Sequence, residues 1–143
     1  MKFSKSTELA IHGLWLLAKR HPELLFVAEM ADRQHVSESY LAKVFQKLAR
    51  EGLVSSIRGK HGGFTLAKRP ENITIADVAR AIETEEPLYD CMYRGRGCRA
   101  RNKCLVRDTF LRAERIMFRT LERISLADLM ASKNGNSRAE WLR

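Results

Sequence analysis

The sequence lacks an apolar run long enough to span a membrane. Its longest apolar stretch, Leu9 to Ala18, has ten residues and is interrupted by His12 and Gly13, whereas a spanning helix needs about 20. No small-residue cleavage site follows this stretch, so the amino end does not resemble a secretory signal. We therefore expect a cytoplasmic protein that does not act on membranes.

Proline and cysteine are both scarce. Three prolines in 143 residues, with 45% hydrophobic and 30% charged residues, are typical of one ordinary globular unit and exclude a disordered or fibrous chain. The three cysteines all lie between residues 91 and 104. Because their number is odd and they are clustered, a disulfide framework is excluded, and a redox or metal role for this segment becomes the question.

Acidic residues are outnumbered. Asp and Glu total 17 against 26 Lys and Arg, which gives a net charge of +9. Residues 1–70 carry +6 of this charge, residues 71–103 carry none and residues 104–143 carry +3. Such an excess favours a polyanionic partner, and its position makes the amino-terminal half the basic face.

Three helices are predicted in the first 50 residues. The first runs from Ser4 to about Arg20 and presents an apolar stripe, and the second runs from Phe26 to Arg33. Ser37 is predicted to cap the third helix. The stripe of the first helix consists of Ile11, Leu14, Trp15 and Ala18, and that of the third of Leu41, Val44, Phe45 and Leu48. The outward side of the third helix is then predicted to carry Ser39, Ala42, Lys43, Gln46 and Lys47.

A basic hairpin is predicted to follow. Two short strands, Leu53 to Ile57 and Phe64 to Ala67, flank a turn that contains Arg58, Gly59, Lys60 and His61. The order of helices and hairpin predicts a mainly α winged helix-turn-helix fold with a small β-wing. In this fold the third helix enters the major groove of double-stranded DNA and the wing follows the backbone or minor groove. A strand rather than a helix follows the glycines, which excludes a nucleotide-binding loop.

The carboxyl-terminal half is predicted to be helical. Thr74 caps a helix with the apolar face Ile75, Val78, Ala79 and Ile82, which we expect to pack under the wing. Residues 105–124 are predicted to form a long dimerisation helix, and Ser125 to cap a last short helix, Leu126 to Ala131. The seam of the predicted dimerisation helix consists of Val106, Phe110, Ala113, Met117, Leu121 and Ile124. We expect a DNA-binding region at 1–84, a Cys-containing loop at 85–104, the dimerisation and last helices at 105–132 and a flexible tail at 133–143.

The cysteines are spaced Cys91-x6-Cys98-x5-Cys104. This is not a zinc-finger spacing, but three thiolates within 14 residues can hold three corners of an iron–sulfur cluster. Five cations and no acid lie between the first and last cysteine, and they would offset the cluster's negative charge: Arg94, Arg96, Arg99, Arg101 and Lys103. A plain thiol switch and a zinc site remain alternatives. Glu8 and His12, one turn apart on the first helix, could reach one ligand together.

Taken together, these features resemble the Rrf-type winged-helix regulators, a family that includes iron–sulfur biogenesis and nitric-oxide-sensing regulators. The resemblance covers almost the whole chain. Its motifs are Val36-Ser-Glu-Ser-Tyr-Leu-Ala-Lys-Val-Phe45, Gly52-Leu-Val-Ser-Ser-Ile-Arg-Gly-Lys-His-Gly-Gly-Phe-Thr-Leu66, the helix Ile75 to Ile82, the three cysteines after it and Ser125-Leu-Ala-Asp-Leu129.

The resemblance implies a homodimer that binds a near-palindromic operator. Residues that open the recognition helix read bases in the family and match Ser37, Ser39 and Tyr40 here, although the glutamate of the biogenesis regulators is replaced by Ala42. The wing arginine that enters the minor groove matches Arg58, and its neighbour matches Gly59.

The resemblance also implies a 2Fe-2S or 4Fe-4S cluster on Cys91, Cys98 and Cys104. Arg107 stands where the biogenesis regulators place a histidine ligand and cannot coordinate. Other branches take a carboxylate from the first helix of the partner subunit, or a glutamate and a histidine together, and these match Glu8 and His12.

The sequence therefore predicts a DNA-binding transcriptional regulator, a repressor that senses redox state, nitric oxide or iron–sulfur status. The alternative is a cluster-free thiol-redox or zinc-containing regulator of the same fold. We do not expect this protein to be an enzyme, because the sequence has no nucleotide loop, no recognisable pair of catalytic carboxylates and no nucleophile motif.

Overall fold

The computed structural model describes residues 3–59, 62–83, 89 and 104–131. Its elements are α1 (Lys5–Arg20), α2 (Val27–Arg33), α3 (Glu38–Arg50), β1 (Val54–Ile57), β2 (Gly63–Leu66), a 3-10 turn (Pro70–Asn72), α4 (Ile75–Ile82), α5 (Leu105–Leu121) and α6 (Leu126–Ala131). The predicted winged helix-turn-helix architecture is confirmed. The Cys-containing loop, apart from Tyr89 and Cys104, and the predicted tail lie outside the described residues.

Helix α3 forms as its sequence predicts. The Ser37 hydroxyl accepts a hydrogen bond from the Tyr40 backbone N–H and satisfies one of the unpaired donors of the first turn. The predicted stripe of Leu41, Val44, Phe45 and Leu48 is buried. Gly52 ends this segment at a φ of +67°, a conformation that glycine adopts without steric cost.

The buried face of α1 is broader than predicted. Leu14 and Ala18 are buried as expected, whereas Ile11 and Trp15 are only partly buried. The remaining buried positions of the helix are Thr7, Leu9, Ala10, Gly13, Leu16 and Leu17. The prediction of a single narrow stripe is therefore wrong, because α1 packs against α3, α4, α6 and β2 and so is covered on several sides.

The wing is a two-stranded antiparallel sheet. Val54 pairs with Leu66 at its base and Ile57 with Gly63 toward its tip. At the base, Val54 and Leu66 are buried, whereas Ile57 is exposed. A backbone bridge between Leu25 and Phe64 joins the wing to the segment before α2. The wing is thus anchored to the rest of the fold at its base and through Phe64, and Lys60 and His61 lie outside the described residues.

Helix α4 begins at the predicted capping box. The Thr74 hydroxyl accepts from the Asp77 N–H, and the Asp77 carboxylate accepts from the Thr74 N–H. The helix packs mainly against α1 and α3, so the expectation that it lies under the wing is wrong. Its most buried side includes Ala76, whereas Ile75 is only partly buried, because the apolar face turns toward the two helices rather than the sheet.

Helix α6 folds back onto the amino-terminal body. Ser125 and Asp128 form a second reciprocal cap, and a backbone bridge joins Thr74 to Ser125 so that the two caps lie side by side. Leu126 is fully buried in the same core as the helix-turn-helix. The carboxyl-terminal end of the described chain therefore stabilises the amino-terminal helices.

Helix α5 ends at Leu121, three residues before the predicted boundary, and has no buried residue. It touches α4 through the Arg80–Glu122 ion pair and through the Arg80 guanidinium, 4.8 Å from the Phe118 ring centroid. Leu105 is 81% exposed and Ile116 55% exposed. Within the described part of the chain, no helix is long and apolar enough to cross a membrane.

Candidate functional site

The outward face of α3 carries three of the predicted DNA-contacting residues. Ser39, Tyr40 and Lys43 are exposed on it. Ser37 is exposed as well, but its hydroxyl already accepts from the Tyr40 N–H and lies 3.5 Å from the Ser39 hydroxyl. Capping uses one of the two lone pairs of Ser37, and the bond with Ser39 uses either the other lone pair or the hydroxyl hydrogen, so one site remains for a ligand.

The side chain of Tyr40 contacts α1. Its hydroxyl lies 2.9 Å from the hydroxyl of Ser6, 34 positions earlier in the first turns of α1. The residue as a whole is nevertheless 39% exposed. Tyr40 is therefore accessible to a ligand while its hydroxyl is bonded to another helix.

The wing and α3 border one groove of about 760 Å³. Arg58 and Gly59 line it from the wing, and Gly59 has a φ of +114° that favours glycine. Gln46 and Arg50 line it from α3. These two residues were not among the predicted contacts, although their spacing of three and seven positions after Lys43 places them on the same helical side.

Lys47, unlike these residues, uses its side chain for a contact within the fold. It lies on the exposed side of α3, but its ammonium donates to the Ile82 carbonyl at the end of α4, 3.3 Å away. This contact ties the carboxyl-terminal part of α3 to α4.

Among the predicted metal ligands, one thiol lies within the described residues. Cys104 is the N-cap of α5, is half-buried, and its Sγ accepts from the Arg107 N–H at 3.5 Å. Cys91 and Cys98 lie outside the described residues, and within the described ranges no group of three or more His, Cys, Asp or Glu side chains forms a metal site.

Glu8 and His12 lie together at the edge of a cavity of about 360 Å³ between α1, α4 and α5, which Ile75 and Leu121 also line. Glu8 is exposed and pairs with Lys5 at 3.0 Å. Burial lowers the pKa of His12 below its ordinary value; the Glu8 carboxylate opposes this effect, and Lys5 adds to it. The neutral imidazole is the form that can bind a metal.

Glu83 was not predicted as part of any site. At the end of α4 its carboxylate accepts from the Ser4 N–H at 2.7 Å and from the Thr7 hydroxyl at 2.5 Å. Burial raises the pKa of Glu83. These hydrogen bonds and the charge of Lys47 lower it by more than burial raises it, so the pKa lies below its ordinary value. Glu83 thus joins the end of α4 to the first turn of α1.

Comparison with known proteins gives consistent relatives. A sequence profile of the Rrf2 family, described as iron-dependent transcriptional regulator, matches residues 3–132. The chain is 32% identical over 123 residues to the protein rrf2 of Nitratidesulfovibrio vulgaris, covering 86% of this chain and 77% of that one.

Two further similar proteins are also regulators. The chain is 33% identical over 104 residues to the HTH-type transcriptional regulator IscR of Klebsiella pneumoniae, covering 73% of this chain and 63% of that one. The solved structure of CymR, described as the global cysteine regulator of B. subtilis, is 25% identical with a TM-score of 0.74, covering 94% of this chain and 99% of that one.

Proposed function

This chain belongs to the Rrf2 family of transcriptional regulators, and from that premise we propose that it is a dimeric, sequence-specific DNA-binding repressor whose affinity is set by an iron–sulfur cluster. The resemblance expected from the sequence is thereby confirmed at the level of the family.

The observation that carries the DNA-binding part is the groove between α3 and the wing. Arg50 of α3 and Arg58 of the wing line it together with one acid, Glu38, and Gln46 supplies an amide that can pair with a base edge. Ser39, Tyr40 and Lys43 project from the adjacent face of α3. Cations on both sides of an open groove match a phosphate backbone, and polar side chains on the helix between them match the major groove.

Dimerisation is supported by α5. This 17-residue helix has no buried residue, and its predicted seam includes Val106 and Phe110, both exposed. An apolar helix face of this kind is typical of a surface covered by another subunit. Since α5 follows the Cys-containing segment directly, the proposed seam and the proposed cluster site would be adjacent.

The cluster would be held by Cys91, Cys98 and Cys104, with Glu8 or His12 of the partner subunit completing the set. The donor chemistry fits, because soft sulfur ligands select iron–sulfur clusters, and the described thiol lies at the amino end of α5. When bound, the cluster would supply redox and nitric-oxide reactivity.

The test of the cofactor is the visible absorption spectrum, with iron and sulfide analysis, of protein purified without oxygen. We expect thiolate-to-iron charge-transfer bands between roughly 320 and 550 nm and equal iron and sulfide contents. The Cys104→Ala variant should remain folded and lose these bands. Colourless, iron-free protein after reconstitution would overturn the cluster proposal and leave the DNA-binding proposal standing.

A second candidate is a thiol-based regulator without a cluster. The similarity to the cysteine regulator CymR favours it, and the three cysteines would then respond by reversible oxidation. Colourless protein that binds DNA and loses affinity on mild oxidation would support this candidate. Stoichiometric zinc would instead support the metal-stabilised variant of it.

A further inference from the structure

The hydroxyl pair of Ser6 and Tyr40 connects α1 to the first turn of α3. The two oxygens are 2.9 Å apart, and either can donate. A tyrosine hydroxyl has one hydrogen, so the direction of this bond decides what Tyr40 can offer to a ligand. If Tyr40 donates to Ser6, only a lone pair remains for the ligand; if Ser6 donates, the tyrosine hydrogen stays available.

DNA presents mainly acceptors to a protein that approaches it, since phosphate oxygens carry no hydrogen and most base-edge atoms in the grooves accept. Resting on the proposed DNA-binding function, we propose that Ser6 is a positioning residue that donates to the Tyr40 oxygen and thereby directs the tyrosine O–H toward an acceptor on the DNA. Ser6 itself is not a DNA contact in this arrangement.

The position of Ser6 on α1 also relates the Tyr40 contact to the candidate metal ligand Glu8. At about 100° per residue, Ser6 lies roughly 160° to 200° around the helix from Glu8, so the metal-ligand candidate and the tyrosine partner occupy opposite sides of the same turn. That turn is held by Glu83, which accepts from Ser4 and Thr7. A shift of the first turn of α1 would therefore move the Tyr40 hydroxyl directly.

The other end of α3 is tied to the same frame. Lys47 donates to the carbonyl of Ile82, the residue before Glu83. Both ends of α3 are thus fixed through hydrogen bonds to α1 and to the end of α4, from which the chain enters the Cys-containing segment.

The test is a double-mutant cycle on DNA affinity. The probe is a duplex enriched from a random pool by the unaltered full-length protein, with a scrambled duplex of equal length for non-specific binding. Ser6→Ala and Tyr40→Phe should each weaken binding of the enriched duplex by about two- to tenfold, the range of one net hydrogen bond. The double variant should lose no more than the larger single loss, since both changes remove the same unit.

Two further variants separate positioning from folding. Ser6→Thr retains a hydroxyl and should restore affinity to within about twofold of the unaltered protein. Thr65→Val removes another hydroxyl that bridges two parts of the fold, through its bond to the Pro22 carbonyl, and should leave affinity unchanged. Equal affinity of Ser6→Ala and unaltered protein, or losses that multiply in the double variant, would overturn the proposal. Failure of the unaltered protein to enrich any duplex would instead overturn the proposed function.

Discussion

The carboxylate of Glu83 accepts a hydrogen bond from the Thr7 hydroxyl, across 76 positions of sequence. The same carboxylate accepts from the Ser4 N–H. A single side chain therefore closes the first turn of α1 against the end of α4, and does so directly before the Cys-containing segment.

Replacing Glu83 by Gln should destabilise the fold in a pH-dependent way. The folded-state pKa of Glu83 is below its ordinary value because the hydrogen bonds from Thr7 and Ser4 and the charge of Lys47 outweigh burial. The stabilisation is therefore present above the ordinary pKa and is lost as the pH falls through the folded-state pKa. Urea unfolding should show the variant less stable at pH 7, with the difference vanishing in acid. A difference that is constant with pH would contradict this role.

Replacing Arg58 by Ala should weaken DNA binding and reduce its salt dependence. If Arg58 contacts a phosphate, the slope of log affinity against log salt should fall by about 0.9. The matched control is Lys68→Ala, an exposed cation just beyond the base of the wing, which should leave both values unchanged. Fluorescence anisotropy over a range of salt concentrations measures them. An unaltered slope and affinity in Arg58→Ala would remove the wing from the interface.

Replacing Gly13 by Ala should destabilise the protein although alanine favours helices. An added Cβ would lie 2.6 Å from the Phe45 ring, and overpacking of a buried site costs about 1–3 kcal/mol, against a gain of about 1 kcal/mol in helix propensity. Urea unfolding measures the net loss. The same change in a Phe45→Leu background should cost less, and an equal cost in both backgrounds would show that the ring is not the obstacle.

Replacing Ala113 by Glu should produce a monomer. Ala113 is exposed in the single chain, so the change should barely alter the stability of the subunit, but a charge in the proposed seam would be buried on dimerisation. Sedimentation velocity distinguishes the two states. Arg115→Glu places the same residue on the opposite side of α5 and should remain dimeric. A dimer in both variants would place the subunit interface elsewhere.

Features set by local sequence were predictable. The caps at Ser37 and Thr74 follow from a hydroxyl residue placed before an apolar repeat, and both form as predicted. The buried stripe of α3 was also predictable, because its spacing admits only one helical face. Tertiary partners were not: the apolar face of α4 is evident in the sequence, but its spacing does not say whether a sheet or two helices will cover it.

In the candidate site, too, local features could be predicted from the sequence, whereas contacts between distant segments could not. The exposed residues Lys43 and Arg58 could be chosen from helix phase and charge, whereas Tyr40 was chosen only because of the family resemblance. The bonds of Ser6 to Tyr40 and of Thr7 to Glu83 join positions 34 and 76 residues apart. Serine, threonine and glutamate at these positions are ordinary surface residues by composition, so only the folded arrangement reveals what they hold.

The most direct test of the account is the affinity of one duplex for the protein with and without its iron. Protein purified without oxygen is titrated with the enriched duplex before and after the iron is removed by a chelator, with the dimer confirmed in both forms. We predict dissociation constants that differ by at least about tenfold, or 1.4 kcal/mol, the scale of an ordinary allosteric coupling. Equal affinities in the two forms would contradict control of DNA binding by a cluster.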